Sequence, residues 1–380
     1  MPVSKTGGRQ CVVHWRVHGP WRTVVAVNEG APFRWAPMSK GAATMRAIRP
    51  VGQWMAAVAV ACVLGTTVAS AQEKIRIAGN FSVDHSSSVA IEQFKKDVET
   101  ATKGKVIIET FPAMQLGGAQ ENVTQVRAGT IMMTWVGMAF LSRTVPELEA
   151  VSLPFLFPTR EVAYKVMDGS IGTLIDQKMA DKGFIALGFM ELGPRQVTNS
   201  VRPIKTMADL KGLKIRLQPN ETHLATFRAL GANPIAMDIR EVYSAMEQKV
   251  IDGHENPYAL IIDSRFYEVQ KYVSNTSHFF DFIAVVANRK KFEALPAEYQ
   301  QAIKAAMQKA VASQRIAAAK ADTTALAELQ KKGMQYDAMP PAERDAMIKA
   351  TAGVVDDIKK RVGPELVDRV LVEVKKASGS

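Results

Sequence analysis

Arg195 and Arg216 are the residues of this chain best placed to do chemistry. Arg195 closes the apolar stretch FIALGFMELGP, and Arg216 lies inside GLKIRLQPN. A guanidinium against an apolar strand is costly to bury alone, so each needs a partner. That partner is either a protein carboxylate, with Glu191 and Asp238 as candidates, or the anion of a ligand. The planar fork of arginine fits a carboxylate through two parallel hydrogen bonds. A helix start at Asn220 and a polar turn from Asp252 to Pro257, which presents Asn256, complete a cradle for a small carboxylate.

No reactive group accompanies the cradle. The four histidines from His85 onward, with His223, His254 and His278, show no H-x-x-x-H or H-x-E spacing. His254, in the polar turn, either lines the cleft or, as is commoner for a loop histidine, faces solvent. Asp238, Glu241, Asp252 and Glu255 could be paired acids or calcium ligands, but Glu241 falls inside a helix and Asp252-Gly253 makes a ready turn. The order of an EF-hand loop is missing. Gly117-Gly118 lacks both nucleotide-binding spacings, and there is no G-x-S-x-G elbow. The sequence therefore assigns no catalytic residue, metal ligand or cofactor.

The elements that must hold the cradle follow from periodicity. KIRIAG (74–79), KVIIETF (105–111) and the apolar run 131–136 read as strands, separated by helices over about 86–102 and 119–129. This βαβαβ order predicts a right-handed parallel sheet covered by helices, with ligands beyond the carboxyl ends of its strands. Those ends carry Gly79-Asn80-Phe81, Met114 to Gly118, and Trp135-Val136-Gly137. Trp135 either stacks on a ligand or is a core aromatic. His85, at the next helix start, either contacts ligand or serves the helix. Apolar strands at 184–190 and 279–288 cross between two discontinuous lobes, the arrangement of a hinged cleft. From Pro296 to Lys332 an alanine-rich segment without internal Gly or Pro reads as one helix of about 54 Å, either a packing helix or a bridge. Residues 337–380 read as one or two covering helices.

The net charge of +11 invites a nucleic-acid reading, but residues 1–71 hold eight of the 48 Lys and Arg and one of the 37 Asp and Glu. The chain beyond is close to neutral. Arg46 and Arg49, an apolar core over 54–64, and Ala69-Ser70-Ala71 form a secretory signal peptide with cleavage before Gln72. Met45 reads as the true start, and ordinary cleavage is favoured over lipidation at Cys62. Both cysteines, Cys11 and Cys62, precede the cleavage point, so the exported protein has no thiol. No later segment approaches a membrane-spanning length.

"LKIR" followed by GANPIAM…EVYSAMEQKVIDGHENP, with FPAMQLGGAQENV, PFLF and RQVTNSVRPIKTMADLKGLKIR, resembles the solute-binding proteins of TRAP (tripartite ATP-independent periplasmic) transporters over nearly all of the chain after Gln72. The resemblance implies a two-lobed α/β fold of the periplasmic-binding-protein kind, with a ligand cleft between lobes and a long bridging helix. It implies lobe I over 72–192 and 281–321, and lobe II over 193–280 and 322–380. It further implies a monomeric periplasmic protein, not an enzyme, that captures a small carboxylate and passes it to the TRAP permease membrane subunits. Arg216 matches the arginine that bridges the ligand carboxylate, and Arg195 and Asn256 match two further contact positions. Phe81, His85 and Trp135 complete the expected set. Ile239-Arg240-Glu241 departs from the family pattern, which has an aromatic there, and Arg240 adds a positive charge.

Overall fold

The computed structural model describes residues 72–379, so the Met45 start, the cleavage signal and Cys62 lie outside it. Strand β1 (Glu73–Gly79), helix α1 (Ser86–Ala101), β2 (Val106–Phe111), α2 (Ala119–Ala128) and β3 (Met133–Gly137) follow in the expected order. β1 pairs in parallel with β2 on one side and β3 on the other. Helices α3 (Arg160–Met167) and α4 (Ser170–Ala180) lead to β4 (Phe184–Pro194), which runs on past the apolar FIALGFM as far as the doorstep of Arg195.

The chain then leaves for a second sheet. β5 (Gln196–Asn199), β6 (Lys214–Leu217), α5 (Glu221–Ala229), β7 (Asn233–Ala236), α6 (Ile239–Glu247), β8 (Gly253–Asn256), α7 (Tyr258–Asp263) and β9 (Tyr272–Asn275) come before β10 (Phe280–Asn288) returns. α8 (Arg289–Glu293), α9 (Ala297–Lys331), β11 (Gln335–Ala338), α10 (Pro341–Ala350), α11 (Ala352–Val362) and α12 (Pro364–Ala377) finish the chain. The first sheet has the order β2-β1-β3-β10-β4 and the second β11-β9-β5-β8-β6-β7.

Three expectations need correction. The first sheet is mixed, because β10 runs antiparallel between β3 and β4. The outgoing crossing β4 and the returning crossing β10 pair with each other, and because they carry the chain in opposite directions between the two sheets the pair is antiparallel. The polar stretch Gly253–Asn256 is a strand whose four residues are all buried, between β5 and β6. The segment after Asp337 holds three helices, and a short strand precedes them. Leu366, Val367, Val370 and Val374 of α12 join the apolar cluster on one face of the first sheet, with Val136, Ala284 and Val286.

On the opposite face Ile77, Trp135, Ile283 and Val285 pack with Ile303, Met307 and Ala310 of α9. The far half of α9 places Ala325 and Leu329 in a cluster with Val242, Ile261 and Val273 of the second sheet and its helices. This 35-residue helix spans about 52 Å and buries apolar surface on both sheets. Polar contacts fix its middle: the Gln314 amide donates to Glu191 O at 2.8 Å and accepts from Glu191 N at 2.8 Å. Arg315 donates to Phe189 O and pairs with Asp168. Among the described residues no helix is long and apolar enough to cross a membrane.

Candidate functional site

Arg195 immediately precedes β5 and Arg216 lies in β6, the two strands on either side of β8, so the arginines come to one region but meet opposite surroundings. Gln196, the residue after Arg195, pairs with Asn256 across β5 and β8, and Arg216 pairs with His254 across β6 and β8. Both guanidinium side chains are fully buried.

Arg195 is saturated. Its Nη2 donates to Glu255 Oε1 at 2.7 Å, to Glu255 O at 2.8 Å and to Asn256 Oδ1 at 2.9 Å. Nε donates to Glu255 Oε2, and Nη1 faces Asp281 Oδ2 at 3.3 Å. His278 Nε2 approaches the same Glu255 carboxylate at 3.1 Å, with Thr276 on its other ring nitrogen. Burial pushes the Glu255 carboxyl up, but Arg195 and the His278 hydrogen bond outweigh it and hold the group well below the usual carboxylate range. Burial raises Asp281 to about 6 against the pull of Arg195. The partners are thus Glu255 and Asp281 rather than Glu191. Glu191 pairs with Arg160 at 3.3 Å and accepts from Tyr164, and burial lifts it to about 7.

Arg216 has no such shell. Its Nε and Nη2 donate to a single acceptor, Met237 O, at 2.9 and 2.6 Å. Nη1 is buried and, among the described residues, without a hydrogen-bond partner. Burial pulls the guanidinium down to about 10, against opposing attraction from Glu255. Asp238 is not its salt-bridge partner; that carboxylate is used elsewhere, as described below.

Asn256 is committed within the protein. Its amide oxygen accepts from Arg195 and its amide nitrogen donates to His254 Nδ1 at 3.0 Å. His254 is buried, not solvent-facing, and burial depresses it to about 3. Arg195 and Asn256 are both at most 1% exposed. Their polar atoms are satisfied by one another, which is how such a cluster can be buried at all.

Across from β6, the first sheet brings its own set. The Trp135 indole lies directly over Gly79, where any side chain would collide with the ring. Trp135 packs in the core and keeps a polar edge, because its Nε1–H is buried without a partner among the described residues. Asn80, next to Gly79, has an unpartnered Oδ1. Phe81 stacks on His85 with ring centroids 4.6 Å apart. His85 is the N-cap of α1, its Nδ1 accepting from Ser87 N at 3.1 Å, and burial alone lowers it to about 4, leaving it neutral.

The two sets meet where β3 ends and β6 ends: a Cβ on Gly137 would stand 2.8 Å from Gln218 Nε2. Gln218 is two residues beyond Arg216 as Gly137 is two beyond Trp135, and its Oε1 is also buried and unpartnered. Sequence reasoning missed Gln218. The available signal was a polar residue two places after Arg216, on the same side of the strand and just past its carboxyl end.

A cavity of about 290 Å³ adjoins this region, lined by His85, Glu191, Pro257, Asp263 and Asp322 among others. Four acids line it, Asp84, Glu191, Asp263 and Asp322, and Arg216 does not.

Comparison with known proteins agrees with this architecture. Residues 77–361 match the DctP family, described as bacterial extracellular solute-binding protein, family 7. The 2,3-diketo-L-gulonate-binding periplasmic protein of Escherichia coli is 34% identical over 303 residues, covering 80% of this chain and 92% of that protein. A sugar acid binding protein of Advenella mimigardefordensis in complex with galactonate has a TM-score of 0.79 at 32% identity, covering 80% of this chain and 99% of its own. A TRAP periplasmic solute-binding protein of Haemophilus influenzae with bound L-gulonate has a TM-score of 0.77 at 30% identity, with 80% and 100% covered. The two sheets, the double crossing and the bridging α9 are those of a two-lobed TRAP binding protein, and the chain belongs to the DctP family of TRAP solute-binding proteins.

Proposed function

We propose that this protein captures a hydroxylated organic acid, a sugar acid of the aldonate kind, in the cleft between its lobes and delivers it to a TRAP permease. The observation that carries the reading is the Arg216 guanidinium: fully buried, held at one edge by a single carbonyl, with Nη1 unpartnered among the described residues. A carboxylate is the group that such a cation accepts best. Trp135 Nε1, Asn80 Oδ1 and Gln218 Oε1, at or just past the ends of β3, β1 and β6, offer one donor and two acceptors, a mixture that suits hydroxyl groups, which both donate and accept. The ligands named for related proteins, galactonate and L-gulonate, have that chemistry. In this reading Phe81 and His85 wall the cleft, while Arg195 and Asn256 act by holding the floor of the site.

The lobes are assigned as 72–192 with 281–321 and 193–280 with 322–380, α11 and α12 returning to cover the first. The protein works in the periplasm as a monomer after cleavage of its signal peptide, without cofactor, nucleic acid or catalysis.

Calorimetric titration with D-galactonate, L-gulonate and succinate tests the ligand class, with the hydroxylated acids expected to bind and succinate to bind more weakly. Arg216→Ala should weaken the best ligand by roughly thirty-fold or more, the cost of about 2–5 kcal/mol for stripping one partner from a buried charge pair. Arg216→Lys should recover only part of it, because lysine lacks the fork. Binding by Arg216→Ala within about three-fold of the parent, under roughly 0.7 kcal/mol, sinks the assignment.

A further inference from the structure

We infer that Asp238 is a closure latch, a positioning residue that ties occupation of Arg216 to contact between the lobes; this rests on the carboxylate reading above. The Asp238 carboxylate caps two helices at once. Oδ1 accepts from Arg240 N at 3.1 Å, the N-cap bond of its own α6. Oδ2 accepts from Gln120 N at 3.1 Å, the equivalent amide in the first turn of α2, across the cleft. α2 has no cap of its own, because its N-cap residue is Gly118, which offers no side chain. The positive ends of two helices therefore share one negative charge.

Gly118 is what allows the approach. A Cβ there would stand 2.7 Å from Asp238 Oδ1 and 2.9 Å from the carboxyl carbon. Its φ of −69° is open to any residue, so the glycine is required by the neighbour and not by the backbone. Arg240, the unusual positive residue of this segment, faces Glu121 of α2 at 3.9 Å and adds a weak outer pair. Asn220 Nδ2 to Ser142 Oγ, 3.1 Å, is a second polar contact between the same two halves.

The link to ligand lies one residue away. Among the described residues Met237 O is the sole acceptor for Arg216 Nε and Nη2, so the guanidinium and the latch are fixed to consecutive residues. An anion that settles Arg216 also settles Met237-Asp238 in the position that meets α2. The latch acts on the closed state, and its loss should appear in ligand release.

Three variants test this by stopped-flow and calorimetry, with D-galactonate as the probe. Asp238→Ser keeps a capping oxygen for α6 but is too short to reach α2, and Gly118→Ala blocks the approach from the other lobe without touching α6. Each should raise Kd about ten-fold, the size of one charge-assisted hydrogen bond, chiefly through faster release, and Asp238→Glu should restore part of it. The unliganded Tm of Gly118→Ala should stay within about 4 °C of the parent, since the local cost is about 1 kcal/mol or less. Kd values within two-fold of the parent for both blocking variants overturn the latch.

If galactonate fails to bind the parent, the ligand class is what has failed, and the latch is read without ligand. The chain from Gln72 onward has no cysteine, so a Gly118→Cys, Asp238→Cys double variant should close a disulfide under mild oxidation. No cross-link, with both thiols titratable in the folded protein, overturns the latch by that route.

Discussion

Arg195, just before β5, and Arg216, in β6, sit on either side of β8 and are equally buried, yet the protein completes the hydrogen bonds of one and, among the described residues, leaves those of the other open. Around Arg195, Glu255, Asp281, Asn256 and a backbone carbonyl account for every nitrogen of the guanidinium. Around Arg216, among the described residues, one carbonyl serves two nitrogens and the third is left over. Burial of a charge, taken alone, says nothing about its role. What separates a structural ion pair from a receptor for an anion is whether the protein itself completes the hydrogen bonds.

The sharpest way to break this comparison is to remove each arginine and measure unfolding in urea. Arg195→Met leaves Glu255 and Asp281 buried with their positive partner gone, a loss of about 3–5 kcal/mol. Adding Glu255→Gln should return part of that stability, because the stranded charge is then gone. A loss below about 1 kcal/mol for Arg195→Met would show that the network is not what holds β4, β5 and β8 together.

Arg216→Met should do the reverse. The side chain has no carboxylate to strand, and its own burial already disfavours the charge. Unfolding free energy should stay within about 1 kcal/mol of the parent, or rise, as it can when an incompletely satisfied buried charge gives way to an apolar group. Binding of the sugar acid should still be lost. If Arg216→Met is destabilised as much as Arg195→Met, the two arginines are both structural and the distinction fails.

Much of this was legible in the sequence, and the boundary of legibility is physical. The βαβαβ unit, the two crossings and α9 announce themselves because their buried residues are apolar at strand or helix spacing. β8 did not, because Gly-His-Glu-Asn looks like a solvated turn. It can be a buried strand because Arg195 and His278, from two other places in the chain, satisfy Glu255, and Arg195 also satisfies Asn256. Such a partner set has no local signature. For the same reason the sequence offered Glu191 and Asp238 to the arginines, while the fold gives Glu191 to Arg160 and turns Asp238 across the cleft to α2. β11 has the same problem on a smaller scale: four mostly polar residues gain strand structure only by pairing with β9. Arg216 was singled out because its family motif is contiguous.

The gentlest probe of the comparison concerns His85, on the first-sheet side of the cleft. Its imidazole stacks on Phe81, caps α1 through Nδ1, and is lowered by burial from 6.5 to about 4. A histidine with a depressed folded pKa takes its proton more readily when unfolded. Its contribution to stability is therefore intact above about pH 6.5 and is lost as pH falls towards 4. Between pH 7 and pH 5 that loss is about 2 kcal/mol for this one group. Glu191 and Asp281, raised to about 7 and about 6, work in the opposite sense: their protonated forms fit the fold, so acidification over the same range favours it. The pH profile of the parent mixes these contributions, so the readout is a difference. His85→Asn keeps a capping oxygen for Ser87 N and removes the titration, and urea unfolding at pH 7 and pH 5 should show it losing about 2 kcal/mol less than the parent over that interval. Equal losses in the two proteins would mean that His85 is protonated within the fold at pH 5. It would then be a cation stacked on Phe81 at the start of α1 rather than a neutral cap.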